Sequence, residues 1–226
     1  MTELSAFTGF KRAAFEWFEG IERNNSKRWF DAHRETYERD VRGQLDAMLE
    51  ELTGDFDGRV KLFRQHRDIR FSKDKSPYKT ATYGLIGDRP GSDAGLYAQL
   101  TAAGLFAGTG YYRLSPDLLE RYRERAAGRA GANLQRLLDE LDTDGYELIG
   151  FELKTVPRGF PRDHPRARVL RRRAVAAGRR RRAAKGRGIS RDRALAHAGD
   201  TWRGLAPLNA WLDRNVGPAE VEPARR

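Results

Sequence analysis

The chain contains no cysteine in 226 residues. That excludes a disulfide framework, a thiolate nucleophile and any zinc site built on thiolates. Histidine is scarce as well. The four, at 33, 66, 164 and 197, lack the i, i+4 spacing of a helical metal pair, so no metal site is expected. Long hydrophobic runs are missing too. Mean hydropathy is −0.76 and no stretch reaches the length of a membrane span. The opening Met1-Thr2-Glu3-Leu4 has no basic segment followed by an apolar one, so it does not read as a signal peptide. We therefore expect a soluble, cytoplasmic protein with no membrane partner. Neither GxGxxG at a helix start nor GxxxxGK[ST] occurs, which removes the Rossmann and P-loop nucleotide sites. The sequence names no cofactor and sets no oligomeric state.

What is present is a folded composition, 39% hydrophobic with 23 Gly and 9 Pro. The length suits one domain over residues 5–216 followed by a tail, 217–226. The net charge of +11 is local. Of the 43 Lys and Arg, 13 fall between Arg166 and Arg193, but of the 32 Asp and Glu only Asp192 does. This Arg-rich stretch either attracts nucleic acid by long-range steering or simply fills solvated positions.

Hydrophobic periodicity predicts the elements. Phe10, Ala14, Trp17, Phe18 and Ile21 form one face of a helix over 7–22, with Thr8 as its N-cap. Asn24-Asn25 stops it, and Asn25 or Ser26 caps a second, long helix over about 27–52. This is an αα-hairpin whose aromatic residues read as core. The period then changes to two. Val60 and Leu62, Ile69 and Phe71, 80–86, and the segments around Leu96–Leu100 and Leu105–Leu114 read as strands, paired antiparallel through short connections. Gly108 and Gly110 mark a bulge or a close backbone approach. Ser115-Pro116-Asp117 opens a helix, a second short helix follows, and 146–153 reads as a strand. Segment 174–188 reads as a poor edge strand or a mobile loop. Ser190 caps a final helix that Pro207 kinks or restarts. The order predicts an α+β fold, with an N-terminal helical hairpin on a mainly antiparallel sheet, further helices and a C-terminal helix.

The densest polar run is His66-Arg67-Asp68-Ile69-Arg70-Phe71-Ser72-Lys73-Asp74-Lys75-Ser76-Pro77-Tyr78-Lys79-Thr80. On a strand, Asp68 and Arg70 share a face while Arg67 points the other way. One Arg then pairs with Asp68 and the other is available to a ligand. Arg67 and Arg70 offer planar forks, Lys73, Lys75 and Lys79 point charges, and Ser72 with backbone N–H groups a nest. A second stiff loop, Lys154 to Pro165, holds three Pro and a Gly. Its Arg158 is expected to join the ligand-binding set.

Phe7-Thr8-Gly9-Phe10, Asn24-Asn25 with Trp29-Phe30, the run from Arg67 to Lys79, and Val156-Pro157-Arg158-Gly159-Phe160 with Asp163-His164-Pro165 together resemble the domain-of-unknown-function family 2461. The resemblance covers about residues 5 to 216 and rests mainly on the long central motif. It implies membership but brings no catalytic residue. Segment 174–188 departs from the family's pattern, in which a more apolar strand follows the basic helix.

Three functions fit these residues. The first is binding of a phosphate-bearing ligand, nucleotide or nucleic acid, by loop 67–79 with loop 154–165. The second is an enzyme on a phosphorylated or carboxylated substrate, with Asp68 or Asp74 as base or metal ligand and Tyr78 or His164 as acid. The third is an interaction module in which salt bridges merely brace the loop. Exposed pairs contribute so little to stability that the density of charge favours the first.

Overall fold

The computed structural model describes residues 6–183 and 186–217. Of the expected tail, all but Gly217 lies outside the described residues. The fold is α+β, with a six-stranded antiparallel sheet and a two-stranded one. The described residues group into two compact units, one from 6–87, 97–107, 180–183 and 186–201, the other from 88–96, 108–179 and 202–217.

In the first unit, strand β1 (Gly9–Phe10) pairs antiparallel with β8 (Ile189–Ser190). Helix α1 (Arg12–Arg23) therefore starts later than its periodicity predicts, because Phe10 is committed to the ladder. Its N-cap is Lys11, with no side-chain cap. Thr8 does not cap it. Its N–H and hydroxyl instead donate to Gln44 Oε1, at 2.9 and 3.1 Å. Asn24 ends α1, and the Ser26 hydroxyl accepts from the Trp29 N–H to open α2 (Lys27–Ala32). Gly20 lets the two helices close, since a Cβ there would sit 2.2 Å from the Trp29 ring.

The expected long second helix is interrupted. His33, at φ −116° and ψ 16°, separates α2 from α3 (Arg34–Thr36). Its carbonyl accepts both the Trp17 indole N–H at 3.2 Å and the Tyr37 N–H at 3.1 Å. A π-helical stretch, Tyr37–Arg42, follows and closes with the Gly43 N–H donating to the Glu38 carbonyl, before α4 (Gly43–Leu52). A Cβ on Gly43 would lie 2.7 Å from that carbonyl oxygen. The apolar stripe survives these changes of pitch. Phe30, Tyr37, Val41, Leu45, Met48 and Leu52 are all buried.

The large sheet runs β2 (Arg59–Leu62), β3 (Thr82–Gly87), β4 (Leu96–Thr101), β5 (Gly104–Tyr111), β7 (Val175–Arg181), β6 (Glu147–Ile149). In β3 and β4 alternate residues are buried. The inward set of β3 includes Gly84, where a Cβ would meet Leu62 and Leu49 at 2.4 and 2.8 Å, so α4 packs tightly on that face. Ile69 and Phe71 form no strand. In the segment that joins β2 to β3, an isolated bridge pairs His66 with Tyr78. The Asp68 carboxylate accepts the Arg70 N–H at 3.3 Å, an Asx turn that bends the chain out of extended form.

In the second unit, α5 (Pro116–Ala127), α6 (Ala130–Thr143) and α9 (Ala206–Asn215) enclose a core of Tyr122, Leu134, Leu138, Trp211 and Leu212. Ser115 is the N-cap residue of α5 with Pro116 at the first turn, but its hydroxyl is engaged with Asp117. Pro207 opens α9 as a new helix after α8 (Arg191–Gly204). The strand expected over 146–153 ends at Ile149, because Gly150 takes φ +120°; Phe151 beyond it is exposed.

Segment 174–188 does contain a strand, but not at an edge. Val175–Arg181 is an interior strand, flanked by β5 and β6. Its Ala and Gly residues are buried, so no alternation marks it in the sequence. A Cβ on Gly110 (φ +128°) would lie 2.4 Å from the Val175 carbonyl, the close approach its glycine signals. Ala184 and Lys185 lie outside the described residues.

Candidate functional site

The polar run forms a long loop whose root is built into the first unit. Gln65 is buried there. Its Oε1 accepts from Thr82 Oγ1 at 2.8 Å and from the Tyr37 hydroxyl at 3.3 Å, and its Nε2 donates to the Lys79 carbonyl at 2.5 Å. Burial pushes the Tyr37 phenol up to about 12, with the Thr82 hydrogen bond opposing. Backbone bonds Lys79 N to Gln65 O (3.0 Å) and Arg67 N to Pro77 O (2.9 Å) tie the two arms. The helical hairpin adds a clamp. Asn25 Nδ2 donates to the Tyr78 carbonyl at 2.9 Å and its Oδ1 accepts the Tyr78 N–H at 3.0 Å. Tyr78 is buried, its ring stacked on Phe30 at 4.1 Å and 8°. The Asn pair therefore does more than turn the chain. One amide holds the loop's second arm.

The tip is laced by its own charges. Arg70 forks onto Asp68, with Nε at 3.0 Å and Nη2 at 2.7 Å. Arg67 pairs with Asp74 and donates to Ser72 Oγ at 3.4 Å. Asp74 Oδ1 also accepts the Ser76 N–H at 2.9 Å. The nest expected for an outside anion is thus filled by the chain's own carboxylate, and neither Arg is unpaired. Lys75 Nζ donates to the Ile69 carbonyl at 3.0 Å, and Lys79 Nζ to the Arg64 carbonyl at 2.5 Å. Lys73 and Arg64 have no side-chain hydrogen bond or ion pair among the described residues. Phe71, between the Asp68–Arg70 pair and Lys73 in sequence, stands 96% exposed.

These contacts decide what the acids can do. The Arg70 guanidinium holds Asp68 below the usual carboxylate range. The Ser76 hydroxyl, then Arg67 and the Ser76 N–H, hold Asp74 well below it. Carboxylates so stabilised are weak bases near neutrality. Tyr78 is packed between rings. His164 lies in the second unit, where its Nδ1 accepts the Arg166 N–H at 3.0 Å. Among the described residues no group of three His, Asp or Glu is placed to hold a metal ion.

Arg158 also belongs to the second unit. It lines a cleft of about 370 Å³ with Pro116, Glu120, Arg123, Glu124 and Phe160. Burial and the neighbouring Arg173 lower the Arg123 guanidinium from its usual value. A larger hollow, about 550 Å³, lies along one face of α6 from Ala132 to Asp144. Neither is lined by the basic loop. Several arginines of the stretch 166–193 are engaged within the second unit. Arg166 caps the end of α5 through the Ala126 and Ala127 carbonyls. Arg168 faces Asp139 and Asp142, Arg172 is buried on Glu152 at 3.1 Å, and Arg179 covers the Tyr146 ring at 3.8 Å.

Sequence reasoning passed over Arg64, Gln65 and Phe71. The signal for Phe71 was available, a large aromatic inside an otherwise charged turn, but its assignment to a strand hid it. No curated protein matches the chain. Residues 13–211 match the family described as "Conserved hypothetical protein (DUF2461)". Since that match covers most of the sequence and contains both the clamp residue Asn25 and the whole loop, the chain belongs to the DUF2461 family.

Proposed function

We propose that the protein binds a phosphate-bearing ligand through the loop 64–79, and that this ligand is nucleic acid. The observation that carries the reading is a surplus of positive charge on a braced loop. Six cations face two carboxylates between Arg64 and Lys79, and both carboxylates are already held by Arg67 and Arg70. Internal pairing rigidifies the loop without neutralising it. Donors fixed in advance lose less entropy on binding. Small nucleotides call for a concave site, and neither prominent cleft is lined by this loop. An exposed loop suits a polymer that brings many phosphates at once. Phe71 adds a free aromatic face among the cations, a feature suited to stacking on a base. An enzyme using Asp68 or Asp74 as base fits less well, because their ion pairs favour the ionised state. The cleft beside Arg158 lies in the other unit and forms no part of the reading.

The test is fluorescence anisotropy of labelled oligonucleotides with the full chain over a range of salt. Affinity should fall by roughly one logarithmic slope unit for each phosphate contact. Lys73→Glu with Lys75→Glu should abolish binding while the melting temperature stays put. Unchanged affinity in that double variant would falsify the proposal.

A further inference from the structure

The outward face of the first unit's strands carries a second feature, independent of the loop tip. Phe63, Tyr83, Tyr97 and Phe106 come from four successive positions across the sheet, just after β2 and in β3, β4 and β5. Their rings form a continuous row, with centroids 5.0 Å apart for Phe63 and Tyr83, 5.7 Å for Tyr83 and Tyr97, and 6.4 Å for Tyr97 and Phe106. The first two pairs are only 38° and 39° from parallel. Phe63, Tyr83 and Tyr97 are half-buried, while Phe106 is covered. Register explains the row. Lys61 pairs with Leu85, and the Phe63 N–H donates to the Tyr83 carbonyl at 3.0 Å, so Phe63 and Tyr83 stand side by side. Tyr97 donates to Gln99 two residues on, on the same face.

Cations accompany the rings. Lys61 Nζ lies 5.6 Å from the Phe63 centroid, Lys79 Nζ 4.6 Å from Tyr83, and the Arg180 guanidinium 5.3 Å from Phe106. Strands β2 to β5 contain no Asp or Glu. Cross-strand aromatic pairs alone help a sheet cohere, and that role needs no flanking ammonium groups and no exclusion of acids. The three half-buried rings, Phe63, Tyr83 and Tyr97, spaced across an antiparallel sheet beside Lys61 and Lys79, have the chemistry of a surface on which unstacked bases lie while their phosphates meet the cations, with Phe106 backing the row from the core. Duplex bases keep their faces to one another and cannot use it.

We infer that this sheet face is a stacking platform for single-stranded nucleic acid. The inference rests on the loop's reading as a phosphate contact and deepens it. Lys79, which closes the loop and covers Tyr83, belongs to both.

The experiment compares three ligands of equal length and charge with the intact chain, namely oligothymidylate, the matching oligouridylate and an abasic strand with the same phosphates. The platform predicts that the abasic strand binds at least about tenfold more weakly than oligothymidylate, and that Tyr83→Leu and Tyr97→Leu remove most of this difference whereas Phe71→Leu removes little of it. Leu keeps apolar bulk at both sites, and the abasic comparison on unaltered protein does not depend on how the variants fold. The deoxy and ribo strands should both bind, since stacking does not read the 2′-hydroxyl. Equal binding of the abasic and thymidylate strands would overturn the platform while leaving the loop's phosphate reading intact. Binding of none of the three would remove both.

Discussion

Loop 64–79 and the segment 166–173 are both crowded with arginine, yet they spend it differently. In the segment, Arg166 satisfies the last carbonyls of α5, Arg168 faces two aspartates of α6, and Arg171 and Arg172 share Glu152. The Arg172 side chain is only 5% exposed. Such groups hold elements together and leave little for a ligand. In the loop Arg67 and Arg70 each have one acid, Lys75 and Lys79 reach backbone carbonyls, and Lys73 and Arg64 have neither among the described residues. Charge density along the sequence is therefore a poor guide to a site. What matters is the count of acceptors within reach of each cation.

That contrast can be broken experimentally. The largest effect, beyond the loss of binding expected for the double Lys variant, belongs to the segment. Glu152→Ala leaves the buried Arg172 guanidinium without its acid and should cost about 2–3 kcal/mol in urea unfolding, with nucleic-acid affinity of the folded fraction unchanged. A loss of binding without a loss of stability would invert the assignment of the two regions. Smaller is the effect of releasing the loop's root. Asn25→Ala removes two hydrogen bonds to the Tyr78 backbone and should destabilise by about 1–2 kcal/mol. Amide exchange should quicken at Tyr78 and Lys79 more than in α4. Uniform quickening would show that the clamp serves the whole unit and not the loop.

The smallest effect concerns the loop's own acids. Asp74 has a folded value below its unfolded one, so its contribution is complete above the unfolded carboxylate range and is lost as pH falls through the depressed folded value. Side-chain carboxyl NMR should find Asp74 still ionised at a pH where an ordinary Asp is protonated. Asp74→Asn should barely move the melting temperature at neutral pH, because the pair is solvent-screened. Titration of Asp74 in the ordinary range would mean that the Arg67 and Ser76 contacts do not persist in solution.

Much of this was legible in the chain. The helical stripe from Phe30 to Leu52, the Asn24-Asn25 turn, Ser26 as a cap and the alternation in β3 and β4 follow from periods of 3.6 and 2. The break at His33 was not, because it depends on an indole from another helix. Strand β7 was hidden because its small buried residues leave no alternating pattern. Phe71 looked like strand because side-chain alternation was read without the Asx turn that Asp68 makes. The aromatic row was invisible because its members lie 9 to 20 residues apart in sequence and only strand register makes them neighbours.

By itself the sequence determined the elements that depend on neighbours along the chain, namely the hairpin helices, the alternating strands and the surplus of cations between Arg64 and Lys79. Tertiary structure alone decided which of those cations were already taken, and which rings met. The reason is range. Periodicity acts over a turn or two of backbone, whereas hydrogen bonds and ring contacts act over a few ångströms between residues that folding brings together. Asp74 became the loop's own anion and Tyr83 the neighbour of Tyr97 only when the chain had folded.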